Sequence, residues 1–219
     1  MPSNRAVYGI FVRREAWRLS KRGWLLLLAT LFCGAIAVRQ GLYPFLDVSS
    51  PAQGECLIVE GWISQDNLKD AMAILRNPAY KRIYTTGGPF HDDWTGENQA
   101  TFAHWGASKL NKLGFTNNEV QAIPCPLAQV DRTYTSALAA KDWFQTNGVQ
   151  AASVDVLSVG PHARRTRLMF QKAFGGTVKV GVIALVPKKY DPEHWWRSSE
   201  GAKEVLGEAV GYLYARFLF

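Results

Sequence analysis

CLIVEGWISQDNLKDAMAILRNPAYKRIYTTGG, residues 56–88, decides the fold. The run Cys56-Leu-Ile-Val-Glu60 is short, apolar and bounded by glycine, which predicts a buried strand. Leu68, Ala71, Met72 and Leu75 then recur at spacings of three and four, predicting a helix over Asn67–Arg76 that stops before Asn77-Pro78. A second strand, Arg82–Thr86, is closed by Gly87-Gly88-Pro89. Strand, helix and strand in this order form a parallel crossover unit, because two parallel strands need a long connection and a helix supplies it.

The same alternation continues toward the C-terminus. A helix is expected over Asn98–Leu113 with Gly114 as its stop, a strand over Val120–Ile123 before Pro124, and a helix over Thr135–Thr146 ending at Asn147-Gly148. Ser153–Val159 reads as a fourth strand, Arg164–Phe174 as a helix stopped by Gly175-Gly176, and Val178–Val186 as a fifth strand. A long last helix, Ser199–Phe219, carries Ala202, Val205, Leu206, Ala209, Val210 and Leu213 on one face. The expectation is a three-layer, Rossmann-like α/β domain with a mainly parallel sheet of about five strands covered on both faces. The G-x-G-x-x-G fingerprint of dinucleotide binding is absent after the first strand, where Gly61 stands alone, and this argues against an ordinary NAD-dependent dehydrogenase.

Upstream of the domain the composition changes. Residues 1–39 hold seven basic residues against Glu15 alone, so they carry +6 of the formal +7, and the rest of the chain is nearly neutral. Such a domain lacks the electrostatic footprint of nucleic-acid binding, which is not expected. Disorder is not the default either, since 47% of the residues are hydrophobic and 12% aromatic, enough for a packed core. Trp24 to Val38 is free of charge, and with Arg39 snorkelling outward the apolar stretch runs on to Leu46, about 23 residues and long enough to span a bilayer. The expected layout is a basic cytoplasmic segment at 1–23, a transmembrane anchor at 24–46, a linker at 47–54 and the α/β domain at 55–219. By the positive-inside rule the basic end stays in the cytoplasm, which puts the domain on the far side of a bacterial inner membrane. The rival reading is a cleaved signal peptide, because Ala35-Ile36-Ala37 fits a small-x-small cleavage site. Cys33 lies in the apolar segment, while Cys56 begins one strand and Cys125 follows another, so a disulfide between the latter two is not favoured.

Ligands of open parallel sheets bind beyond the carboxyl ends of the strands, and four loops of this chain collect polar residues there. They carry Glu60, Gly61 and Trp62 after the first strand; Thr86, Gly87 and Gly88 after the second, with Glu97 at the next helix start; Asp131, Arg132 and Thr133 after the third; and Ser158, Gly160, His162 and Arg165 after the fourth. The glycines allow close backbone approach, and helix N-termini favour an anion. Arg165 is suited to a bidentate grip on phosphate or carboxylate, and His162 to acid–base work with Glu60, Glu97 or Asp131 as its partner. Each residue also has a plainer reading: Gly-Gly-Pro as a turn, Asp131 and Thr133 as caps, Arg164, Arg165 and Arg167 as a solvated helix face. His91, Asp92, Asp93 and Glu97 resemble metal ligands in type but match no metal-site spacing, and no metal or other cofactor is assigned. His194-Trp195-Trp196 reads as a packing or membrane-edge cluster.

Read together, LIVEGW, YTTGG with the later Glu97, Asp131-Arg132-Thr133 before a helix, and SVGPHARR with its His162 and Arg165 pair resemble the bacterial YdcF/SanA/ElyC-like family. Asp191, Trp195, Trp196 and Glu208 fall where that family has an acidic-aromatic segment and a helix glutamate. The chain departs from the pattern in having Glu60-Gly61-Trp62 after the first strand and Ser136 where the family often has asparagine. The resemblance implies a Rossmann-like fold, membrane anchoring and a role in envelope biogenesis around peptidoglycan or its lipid-linked precursors. The expectation is an exported domain that binds, and hydrolyses or transfers, a phosphorylated or otherwise anionic envelope intermediate, possible partners being that ligand and the membrane. In it Arg165, Gly87, Gly88 and Gly160 hold the anion, His162 is the acid or base, and Glu97 or Asp131 orients it. A non-catalytic envelope scaffold or sensor is the alternative, and a nucleotide or S-adenosylmethionine binder a further one.

Overall fold

A computed structural model describes residues 19–90 and 101–219, which divide into a unit up to Arg39 and a compact unit from Gln40 to Phe219. In the first unit the chain forms most of helix α1 (Lys21–Leu46), long and apolar enough to cross a membrane, with its apolar side chains exposed. Residues 21–39 rise about 28 Å at about 1.5 Å each, against roughly 30 Å of bilayer hydrocarbon. The last turns of α1 belong to the second unit, where Tyr43 and Leu46 are buried against Tyr190, Trp195 and Val205. The segment after Gln40, expected as the end of the anchor, is therefore part of the domain. Trp195 belongs to the same packing cluster.

The second unit is a five-stranded, all-parallel sheet in the order β3-β2-β1-β4-β5. The strands are β1 (Cys56–Glu60), β2 (Arg82–Gly87), β3 (Val120–Pro124), β4 (Ser153–Val159) and β5 (Lys179–Leu185). Between β1 and β2 the expected single helix is two short pieces, α2 (Gln65–Asp70) and α3 (Met72–Leu75), broken at Ala71. The remaining helices are α4 (Phe102–Lys112), α5 (Arg132–Thr146), α6 (His162–Phe174) and α7 (Ser199–Phe217). The stretch 47–54, expected as a linker, lies along the sheet: Ser50 bridges to Val182, and the amides of Ala52 and Gly54 donate to the Asp155 carboxylate.

Strand alternation divides the core in two. Cys56 and Ile58 of β1, with Val154 and Val156 of β4, face Ala137, Ala140 and Phe144 of α5 and Phe170 and Phe174 of α6. Leu57, Val59, Ile83 and Leu157 face the other way, onto Leu68, Leu75 and Leu110 of α2, α3 and α4. Continuing the count by two sets Glu60 and Ser158 on the α5/α6 face, where β1 and β4 end side by side. The chain runs outward from β1 to β3 and returns across β1 to β4, so the strand order reverses between β1 and β4. Their carboxyl ends form the crevice in which sheets of this kind bind ligands.

Of the apolar face expected on α7, Val205 is buried and Ala202 and Ala209 are packed, but Leu206, Val210 and Leu213 are exposed. Gly201, Val205 and Ala215 are its buried residues, and Glu208 points into the crevice with them. Rotating Leu206 inward would turn that carboxylate out.

Candidate functional site

The crevice is built on four side chains with complementary charge. Helix α6 begins at His162, two residues earlier than the sequence reading, because Gly160 takes φ of 49° and turns the chain directly into the helix. His162 and Arg165 are thereby three residues apart on one face, and both meet Glu208 of α7. Arg165 donates from Nε to Glu208 Oε2 at 2.7 Å and from Nη2 to Oε1 at 2.9 Å, a bidentate pair. His162 Nδ1 lies 2.8 Å from Glu208 Oε1, and its Nε2 lies 3.3 Å from Glu60 Oε1. Arg165 Nη2 is also 3.0 Å from His162 Nδ1. When Nδ1 carries its proton toward Glu208 this last approach is a contact between two donors, held together by the carboxylate they share.

Glu60 is the buried end of the network. Ser158 Oγ donates to Glu60 Oε2 at 2.5 Å, and Thr166 Oγ1 sits 3.3 Å from both carboxylate oxygens. Ser158 and Thr166 are wholly buried, Glu60 nearly so. The half-exposed Trp62 packs on His162 edge to face, with ring centroids 5.3 Å apart.

Electrostatics follow from this geometry. Burial pulls the His162 pKa down, but the charge of Glu60 and hydrogen bonds to both carboxylates outweigh it and raise the value to about 9. Burial likewise works against the charged form of Glu208, yet Arg165 and His162 hold its pKa down at about 2. The Arg165 guanidinium is desolvated but bound more firmly to its proton by Glu208, with Glu60 and Asp131 contributing charge. At neutral pH His162 is an imidazolium ion clamped between two carboxylates.

Several expected roles change. Arg165, expected as the grip on an anion, has Nε and Nη2 engaged by Glu208. Asp131 is not a hydrogen-bond partner of His162; it takes a left-handed conformation (φ 52°) as the N-cap of α5 and makes no side-chain capping bond, contrary to the capping reading. Arg132 and Thr133 form the first turn of α5, with Arg132 exposed. Glu97, like His91, Asp92 and Asp93, lies outside the described residues. Gly61 and Gly87, expected to let a ligand approach, instead admit α4: an added Cβ would stand 2.0 Å from the Phe102 carbonyl oxygen at Gly61 and 2.5 Å from the Phe102 Cβ at Gly87. Gly88 adjoins Pro126 and Cys125, and Gly160 adjoins Tyr43 and Pro187. Thr86, paired in register with Glu60, has a buried hydroxyl without a hydrogen-bond partner among the described residues.

Three residues carry more than the sequence reading gave them. Glu208 had appeared only through the family pattern, and α7 also carries Glu200 and Glu204, so its sequence did not single it out. Thr166 stands four residues after His162 on the same helix face, a spacing that could have found it. Lys109 gave none: its Nζ is buried, donates to the carbonyls of Gly61 and Ile63, and lies 3.6 Å from the Trp105 ring centroid. It fixes the turn that presents Trp62, and burial lowers its pKa to about 8.

The first turns of α5 and α6 have no side-chain cap, whereas α2, α4 and α7 are capped by Ser64, Thr101 and Ser198. Helices α5 and α6 lie on the face that carries Glu60; the short α3, also without a side-chain cap, packs on the other face. No protein-family model matches the chain, and no curated protein matches it.

Proposed function

We propose that this chain is a single-pass anchored protein of the bacterial cell envelope, its α/β domain outside the cytoplasmic membrane, and that the domain binds and hydrolyses or transfers a phosphorylated envelope intermediate. The observation that carries the reading is His162, clamped between Glu60 and Glu208 at the point where the strand order reverses. An imidazolium so held is a proton store beside a buried base, the pairing that acid–base catalysis uses. Direction toward the envelope comes from the basic N-terminus, the apolar helix and the resemblance to YdcF/SanA/ElyC-like proteins.

The proposed reaction uses these parts. A phosphate group meets the uncapped amides of α5 and α6, where a helix N-terminus stabilises negative charge. Water adds to phosphorus and the ester P–O bond breaks. The departing oxygen takes the Nε2 proton of His162, and the proton released by water goes to Glu60. Transfer of that proton across the 3.3 Å Glu60–His162 contact restores both groups. Glu208, itself held by Arg165, accepts from Nδ1, which keeps Nε2 directed at Glu60.

One observation favours a second reading, a non-catalytic sensor: the two cations are already balanced by Glu60 and Glu208, so the site has little net charge with which to hold an anion. Phosphate release from a short-chain polyprenyl phosphate by the full-length protein in detergent separates the two. Turnover that falls about a hundredfold or more in His162→Gln supports catalysis. Binding of the same compound without turnover supports the sensor, and neither binding nor turnover defeats the phosphate reading.

A further inference from the structure

Helix α7 carries an apolar stripe that the fold leaves uncovered. Leu206, Val210, Leu213 and Phe217 follow one another at spacings of four, three and four, and are 48%, 68%, 54% and 73% exposed. Because Glu208 must reach His162 and Arg165, the helix cannot turn this stripe inward. Next to the stripe around α7 is the face of Ala202, Ala209 and Tyr212, which packs with Leu42, Tyr43 and Leu46 from the end of α1. The same end supplies Phe45, edge-on to Tyr212 at 5.5 Å and stacked under the Arg164 guanidinium at 4.0 Å.

Between α6 and α7 lies an open groove of about 400 Å³, lined by Arg164, Arg167 and Arg216 with Tyr212 and by no acidic side chain. An exposed apolar stripe of this size is unusual on a soluble surface. Flanked by guanidinium groups it has the composition of a helix that lies in a membrane interface, apolar residues in the acyl chains and basic ones at headgroup phosphates.

We infer that α7 and the arginine groove dock the domain onto an anionic phospholipid bilayer. The inference rests on the proposed reading of α1 as a span of that bilayer. It gains from sequence order: the compact unit begins at Gln40, directly after the segment read as the span. Docking of this kind confines the His162 crevice to a fixed orientation over the membrane, as suits a lipid-linked substrate.

The test places a nitroxide on Val210→Cys, in a Cys33→Ala background, of the full-length protein in nanodiscs of phosphatidylcholine alone or mixed with phosphatidylglycerol. Power saturation against oxygen and a water-soluble nickel chelate reads the surroundings of the label. Docking gives high oxygen and low nickel access in the mixed lipid, and nickel access returns in phosphatidylcholine alone and in the Arg167→Gln, Arg216→Gln variant. Water-like nickel access in both lipids overturns the inference. So does shielding from both reagents with spin–spin broadening, which would mean a second copy covers the stripe. A label at Leu28→Cys checks the supporting reading separately: lipid-like there but water-like at Val210 defeats docking alone, whereas nickel access at Leu28 defeats the span and the docking with it.

Discussion

Two buried carboxylates, Glu60 and Asp155, stand on neighbouring strands and serve different ends. Asp155, in the body of β4 beside Leu57, accepts from the amides of Ala52 and Gly54 and from the Tyr80 hydroxyl at 3.1 Å. None of those donors titrates near neutral pH, and Asp155 has no cationic partner among the described residues. Glu60, at the carboxyl end of β1, has two hydroxyls and an imidazole around it, and the imidazole continues to a second carboxylate and a guanidinium. Burial is common to both. What separates a structural carboxylate from a candidate site is whether its partners can exchange a proton and whether they lie where the strand order reverses.

The largest expected effect on stability comes from Asp155. Replacing it with alanine strands two backbone amides and a tyrosine hydroxyl away from water, and denaturant unfolding should show a loss of roughly 3 kcal/mol or more. An unchanged midpoint would erase the contrast from the structural side. Glu60→Gln keeps an acceptor for Ser158 and Thr166, so it should cost only about 1 kcal/mol. It should nevertheless lower the His162 pKa, since it removes the charge that raises it most.

A pH series sharpens the same contrast. The folded-state pKa of His162, raised to about 9 from 6.5, makes its contribution fully present below about pH 6.5 and lost as pH rises toward 9. Glu208, lowered to about 2 from 4.5, contributes fully above about pH 4.5 and loses that contribution as pH falls toward 2. The joint contribution of the two groups, on the order of 1–3 kcal/mol, should be level between about pH 4.5 and 6.5 and be lost on either side. Glu208→Gln should remove the acid limb and make the alkaline one shallower, Glu60→Gln should make the alkaline limb shallower too, and Asp155→Ala should leave their shape intact. Smallest is Tyr80→Phe, which removes one of the three donors to Asp155 and should cost about 1 kcal/mol with no change in the His162 titration.

Periodicity made most of the fold legible, because strand runs and helix spacings are local properties of the chain. All five strands lie within a residue or so of their expected bounds, and Gly-Gly and Asn-Gly stops marked the helix ends. The packing at the end of α1 was not legible, because Leu42, Tyr43 and Leu46 are as apolar as a membrane span, and only tertiary structure shows Tyr43 and Leu46 buried. At the candidate site, His162, Arg165, Glu60 and Ser158 were singled out, and lie together, because the carboxyl edge of a parallel sheet collects them. Glu60 was one of three partners expected for His162, but the pairing with Glu208 was not legible: Glu208 lies 43 and 46 residues from its partners, on a helix that returns only once the sheet is complete. Gly61 and Gly87 looked the same in sequence as ligand-cradling glycines, and which backbone fills the space above them is decided by how closely α4 packs.

Most directly at stake is the state of His162. An NMR titration of the histidine ring protons in the full-length protein, with the His162 signal identified by its absence in His162→Gln, measures it among the four histidines of the chain. A pKa near 9 that falls substantially in Glu208→Gln and in Glu60→Gln is expected of an imidazolium clamped between the two carboxylates. A value at or below the ordinary 6.5, unmoved by either substitution, would contradict the clamp and the proton store built on it.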